Sequence, residues 1–207
     1  MLNLLVMPSS PALAAELSPA VGASRALLAA ARQLVVEFAE ASRLGEEAAE
    51  IEVDIVGSRD PRWHTNLSGS LRAWGAPSVE LGAGNYLPEI MARYVLDGVV
   101  KHRVADTRDH VGTPRAGVLT MVCVDGSAGL TARAPLALVD GAADTALWCE
   151  SLLSGVDVDC DESLLAETGV LETRLWAELA ALRPTQAELR AADSTLGVGR
   201  YVAGWQC

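Results

Sequence analysis

Short apolar runs alternate along the chain with longer stretches in which apolar positions recur at helical spacing. The runs at 2–7, 51–57, 116–124 and 196–207 are rich in aliphatic, β-branched or aromatic side chains, which is typical of strands. A weaker run at 78–81 predicts a third, short strand between the second and the central one. Turn-forming residues follow several of these runs, including Pro, Ser, Asp and Gly.

The helical pattern is clearest from residue 25 onward, where apolar side chains line one face as far as Phe38. Further helices are predicted at 87–99, 140–153 and 161–182, the last with a break at Gly169. The polar stretch 103–115 is typical of an exposed loop. Strands that alternate with helices predict one α/β domain over residues 1–207, a three-layer α/β/α sandwich with a mixed, largely parallel central sheet.

The amino-acid composition limits the kinds of binding partner that we expect. Acidic residues outnumber basic ones, 27 to 16, and lysine and arginine form no block, so we expect no nucleic-acid partner. The first residues are apolar but too short for a membrane span and lack a basic leader, which predicts a cytoplasmic protein without a membrane partner. The four cysteines, with no Cys-x-x-Cys spacing, are then expected to be free thiols. A small-molecule ligand and a homo-oligomer both remain open.

Polar residues follow three of the predicted strands directly, and loops at the carboxyl ends of parallel strands converge on one edge of a sheet. These loops predict a candidate pocket formed by Ser9, Ser10, Asp60, His64, Asp125 and Ser127. The stretch "GAGNYLP" lacks the third glycine of a dinucleotide fingerprint and is interpreted as a tight turn. No serine lies in a G-x-S-x-G elbow, so no catalytic residue is assigned. His64 in "RDPRWHT" could be a ligand or a base, although a histidine in a polar loop usually faces solvent.

Three blocks taken together resemble a known family. "PSSPALAAEL", "DGSAGLTARAPLALVDGAADTAL" and "LGVGRYVAGWQ" resemble the LigB-like proteins, the superfamily of class III extradiol dioxygenase B subunits, and in particular a short actinobacterial branch of it. Active members hold Fe(II) with two histidines and a glutamate and cleave catechols with O₂. The resemblance therefore implies that, if the chain is an enzyme, it is an oxidoreductase of this type.

The same resemblance implies that the metal site is degenerate. Ser9 stands where the first ligand histidine would be, His64 is at best a displaced second histidine, and the loop "VDGSAGL" lacks the histidine that acts as base. We therefore expect no cofactor and no metal, and a pocket reused for a small molecule or an altered activity. Two alternatives stay open: a divergent metal-dependent ring-cleaving dioxygenase, and a non-catalytic interaction or assembly protein.

Overall fold

A computed structural model describes residues 2–42 and 50–207. Within these residues the helices are α1 (Gly22–Ser42), α2 (Leu87–Leu96), α3 (Ala142–Leu153), α4 (Glu162–Glu167) and α5 (Thr173–Ala181). The strands are β1 (Leu4–Met7), β2 (Ile51–Gly57), β3 (Ser70–Leu71), β4 (Ala76–Glu80), β5 (His102–Arg108), β6 (Val118–Cys123), β7 (Gln186–Asp193) and β8 (Arg200–Gln206). None of the helices in the described ranges combines the length and the hydrophobicity needed to cross a membrane.

The described strands form a six-stranded sheet in the order β5-β2-β6-β1-β8-β7 and a small β3-β4 pair. The neighbours β5, β2, β6 and β1 run parallel, whereas β8 pairs antiparallel with both β1 and β7. The predicted mixed, largely parallel sheet is confirmed, and all four of the main predicted strands belong to it. Because β8 runs the other way, its first residues lie at the edge where β1, β2 and β6 end.

The sheet separates two hydrophobic clusters, because successive side chains of a strand point to opposite faces. On β1, Leu5 and Met7 join a cluster that includes buried residues of α1 and α2. Leu4 and Val6 join a second cluster with residues of α3, α4 and α5. Trp176 of α5 is fully buried in the second cluster.

Two edge strands depart from the sequence prediction. The polar stretch 103–115 is not simply a loop, because β5 occupies its first half and pairs with β2. The second, β7, was not predicted at all. Both strands expose alternate residues. Exposed sheet edges carry charged side chains, which make such strands hard to recognise from their sequence pattern. Elsewhere the break in the long helix is confirmed: Gly169, with a φ of +88°, lies between α4 and α5.

Candidate functional site

The loops after β1 and β6 lie side by side because these two strands are adjacent and parallel. Met7 is in register with Cys123, so the residues that follow each strand leave the same edge of the sheet. The backbone N–H of Val124 donates to the carbonyl of Met7 at 2.9 Å. Ser9 Oγ then donates to Asp125 Oδ2 at 2.6 Å and joins the two loops.

A cavity of about 290 Å³ opens at this edge. Its apolar walls include Pro11, Leu87, Leu171 and Val198, and Trp63 contributes an aromatic side chain. This volume is close to the lower end of the range for ligand pockets, ~300–1,000 Å³. The cavity is therefore suited to a small molecule with a mostly apolar body.

The polar part of the lining consists of hydroxyl and carboxyl groups. Ser9, Ser10, Asp125 and Glu172 line the cavity, and no histidine, lysine or arginine lies among the described lining residues. The site thus combines hydrophobic walls with two acidic side chains, and the cavity wall itself supplies no cation to neutralise them.

Asp125 carries an unused hydrogen-bond acceptor. Oδ2 accepts from Ser9, whereas Oδ1 is buried and has no hydrogen-bond partner within the described chain. Burial raises the pKa of Asp125 to about 6, although the Ser9 hydroxyl, the charge of Arg200 and the backbone N–H groups of Ser10 and Ser9 act in the opposite direction. Trp176 anchors this loop, since its Nε1–H donates to the Asp125 carbonyl at 2.9 Å.

Glu172 supplies the second carboxyl group. It directly precedes α5, and its Oε1 accepts a hydrogen bond from Trp63 Nε1–H at 3.1 Å. Burial and the negative charge of Asp125 raise the pKa of Glu172 to about 7, while the Trp63 hydrogen bond and Arg62 favour the ionised form. Near neutral pH, Glu172 is thus close to the midpoint between its neutral and charged forms.

The remaining predicted pocket residues have other surroundings. Ser127 is fully buried and its hydroxyl donates to the Thr168 carbonyl, which stabilises the loop after β6. Asp60 caps the short turn at Pro61–Trp63 and lines a neighbouring depression that shares Glu172 with the cavity. The His64 ring packs edge-on against Tyr86, with ring centroids 5.2 Å apart. Of the predicted set, Ser9, Ser10 and Asp125 line the cavity.

Sequence reasoning missed Glu172 and gave Trp63 no role. The predicted helix 161–182 placed Glu172 inside a regular element, whereas α4 ends at Glu167 and leaves Glu172 in the connection to α5. The available signal was Gly169, which marks this break. Trp63 lies in the same loop as His64, and only the histidine was considered as a ligand or a base.

A larger groove lies along β5 but differs in character. It has a volume of about 670 Å³, is wide open, and is lined mainly by charged side chains. Several of these charges pair with one another, including Asp54 with both Arg108 and Arg115. An open groove whose charges pair with one another is typical of an edge strand, so the smaller, more enclosed cavity is the better candidate site.

The donor set of the cavity does not fit the iron centre that the family resemblance implies. Such a centre needs two histidines and a carboxylate converging on one point. Within the described residues, no group of three or more histidine, cysteine, aspartate or glutamate side chains is arranged to hold a metal ion. The Ser9 hydroxyl is already bonded to Asp125.

No protein-family model matches the chain, and a search among curated proteins also found no match. The chemistry of the site must therefore be inferred from its own side chains.

Proposed function

We propose that this chain is a LigB-like α/β/α protein whose cavity binds a small molecule without a metal ion. The observation that carries the proposal is the cavity itself, whose walls are apolar except for the side chains of Ser9, Ser10, Asp125 and Glu172. A ligand can bury an apolar body against these walls and form hydrogen bonds with the hydroxyl and carboxyl groups of the lining.

The three-layer architecture belongs to the same proposal. It is supported by two hydrophobic clusters, each of which takes alternate residues of β1 and residues of different helices. In the LigB-like resemblance, Ser9 replaces a metal-ligating histidine. Here its hydroxyl orients Asp125 instead, so the carboxyl group becomes the polar anchor of the pocket.

A fragment screen by ligand-observed NMR at neutral pH tests the binding function. We expect fragments of roughly ten non-hydrogen atoms to bind, since one water-sized unit occupies ~30 Å³. At such a size, dissociation constants of about 1 mM or lower are expected. Val198 is half-buried in the cavity wall, so Val198→Phe should fill the cavity and abolish binding while both carboxyl groups stay unchanged.

The interaction-protein alternative makes the opposite prediction for this screen. If the cavity is only a packing defect, no fragment will bind to the wild-type protein, or Val198→Phe will bind the same fragments equally well. Thermal unfolding of the variant checks that the substitution leaves the fold intact.

The dioxygenase alternative is tested by anaerobic reconstitution with Fe(II), followed by metal analysis and oxygen uptake with several catechols. We expect no stoichiometric iron and no ring-cleaved product, because the cavity offers no imidazole ligand. Stoichiometric iron together with a ring-cleaved product that disappears in His64→Ala would establish an active, divergently ligated dioxygenase instead.

A further inference from the structure

A groove lies between α3 and α4, on the face of the sheet that these helices cover. It has a volume of about 320 Å³, and its apolar surface comes from Trp148, Leu164 and Leu165. None of the described residues that line this α3–α4 groove also lines the ligand cavity, so the two sites are separate.

Large apolar side chains are exposed around this groove. Leu147 on α3 is 62% exposed, Leu164 on α4 is 54% exposed, and Leu138 in the loop before α3 is 64% exposed. They are the three most exposed large hydrophobic side chains among the residues that the structure describes. A single exposed leucine is common on protein surfaces, whereas several of them beside an apolar groove are typical of an interaction site.

Trp148 gives the groove an aromatic wall with a fixed orientation. Its ring packs edge-on against Trp176, with ring centroids 5.9 Å apart, and its Nε1–H donates to the carbonyl of Asp159 at 2.8 Å. An aromatic side chain that is already ordered loses little conformational entropy when a partner binds. Tryptophan is also enriched among the residues that dominate the binding energy of protein interfaces.

The rim of the groove is acidic. Asp144, Asp159 and Asp161 line it and are exposed. None of the ion pairs within residues 2–42 and 50–207 includes these three aspartates. The sequence from 134 to 173, which contains α3 and α4, has no lysine, arginine or histidine. A partner that brings positive charge to this rim would therefore be electrostatically complementary to it.

We propose that the α3–α4 groove docks a basic amphipathic helix of a partner protein. Its apolar side chains would lie against Trp148 and Leu164, and its lysine or arginine side chains beside the aspartates of the rim. Laying an apolar helix face into a hydrophobic groove is a common mode of peptide recognition. The groove has room for roughly ten non-hydrogen atoms, which matches two neighbouring aliphatic side chains of such a helix.

Other occupants fit less well. A second copy of this chain has the same net charge of −11 and would bring its own acidic surface to the acidic rim. A small organic cation could neutralise the rim, but it would leave Leu138 and Leu147 exposed, because these side chains lie outside the groove. A nucleic acid would be repelled by the aspartates.

Fluorescence anisotropy with labelled peptides tests this docking at pH 7 and low salt. The probe is an amphipathic helical peptide of about 20 residues made of leucine and lysine. One counterpart has glutamate in place of lysine, and a second has the same leucines and lysines in an order that forms no apolar helix face. We expect the probe to bind with a Kd of about 100 μM or lower, and both counterparts to bind at least about tenfold more weakly. Added salt should weaken binding of the probe, because it screens the exposed charges.

Two groove variants with matched controls locate the binding site. Leu164→Arg puts a positive charge into the groove and should weaken probe binding by about tenfold or more. Its control Leu67→Arg changes a leucine that is 41% exposed between β2 and β3, and should leave the affinity unchanged. Asp144→Asn removes one charge of the rim and should weaken binding by about twofold to fivefold. Glu80→Gln removes a charge from an exposed position on β4 and should have no effect.

Thermal unfolding identifies a variant that has not folded, and the other groove variant then carries the test. NMR spectra of the ¹⁵N-labelled protein report on the groove through the indole N–H of Trp148, which is assigned by its loss in Trp148→Phe. We expect this signal to shift when the lysine peptide is added to the wild-type protein, and to stay in place in Leu164→Arg.

Four results would rule out docking of a basic helix. The lysine peptide does not bind, either counterpart binds as tightly as it does, or both groove variants keep the wild-type affinity. The fourth result comes from sedimentation equilibrium without peptide: a wild-type dimer that becomes monomeric in Leu164→Arg would assign the groove to self-association instead. We expect the wild-type protein and Leu164→Arg to have the same association state.

Discussion

Replacing Glu172 with glutamine should stabilise the protein in a pH-dependent manner. The folded protein holds a proton on this side chain up to about pH 7, whereas the carboxyl group has an ordinary pKa of 4.5 in the unfolded chain. Between these values the folded state binds more protons than the unfolded state. The free energy of unfolding therefore decreases as the pH rises through this window, and the full penalty is present above it.

The size of the effect follows from the same values. Each pKa unit corresponds to about 1.4 kcal/mol, so ionised Glu172 costs the folded state on the order of 3 kcal/mol above pH 7. Solvent contact with the part-exposed side chain reduces this to roughly 2 kcal/mol. At pH 5 the remaining penalty is below about 1 kcal/mol, because Glu172 is then protonated in the folded state.

Urea denaturation followed by tryptophan fluorescence at pH 5 and pH 8 measures this difference. Glu172→Gln keeps an oxygen that can accept from Trp63 and should raise the free energy of unfolding by roughly 2 kcal/mol at pH 8. The corresponding rise in Tm is about 4–8 °C for a chain of this size. The control Glu80→Gln should change stability by less than about 0.5 kcal/mol at both pH values. Destabilisation of Glu172→Gln at pH 8, or an equal change at both pH values, would refute the conclusion that the folded protein disfavours the ionised form of Glu172.

Three further substitutions have defined outcomes. Asp54 is fully buried between two arginine side chains. Asp54→Asn should therefore lower the free energy of unfolding by roughly 2–4 kcal/mol in urea titrations at pH 7. This difference should shrink below pH 3.8, because the ion pairs hold the pKa of Asp54 below that ordinary value. Gly69 has a φ of +63°, and an added Cβ would lie 2.4 Å from a backbone nitrogen, so Gly69→Ala should lower Tm by several degrees in calorimetry, or about 1–3 kcal/mol. Ser9→Ala removes the hydroxyl that donates to Asp125, so the pKa of Asp125 should rise above about 6 in a ¹³C NMR titration of its carboxyl group.

Much of the fold could be predicted because its central strands are buried. β1, β2, β6 and β8 consist almost entirely of buried residues, so hydrophobic side chains dominate their sequences. The edge strands β5 and β7 are half-exposed, and their polar residues resemble those of loops. Local sequence pattern therefore predicted the centre of the sheet and missed both of its edges.

The candidate site was predictable to the extent that it lies at strand ends. Ser9 and Asp125 follow adjacent parallel strands, and the rule that such loops converge identified both. Glu172 could not be found in this way, because it reaches the cavity from the connection between two helices. Its role depends on tertiary packing that brings it to Trp63, which is distant in sequence.

A crystal structure with the tightest-binding fragment tests the central claim most directly. We predict that the fragment occupies the cavity between Trp63 and Val198, with a polar atom within about 3.2 Å of a hydroxyl or carboxyl oxygen of the cavity lining. A fragment bound elsewhere on the surface, or a cavity filled by protein side chains, would contradict the assignment of this cavity as a ligand site.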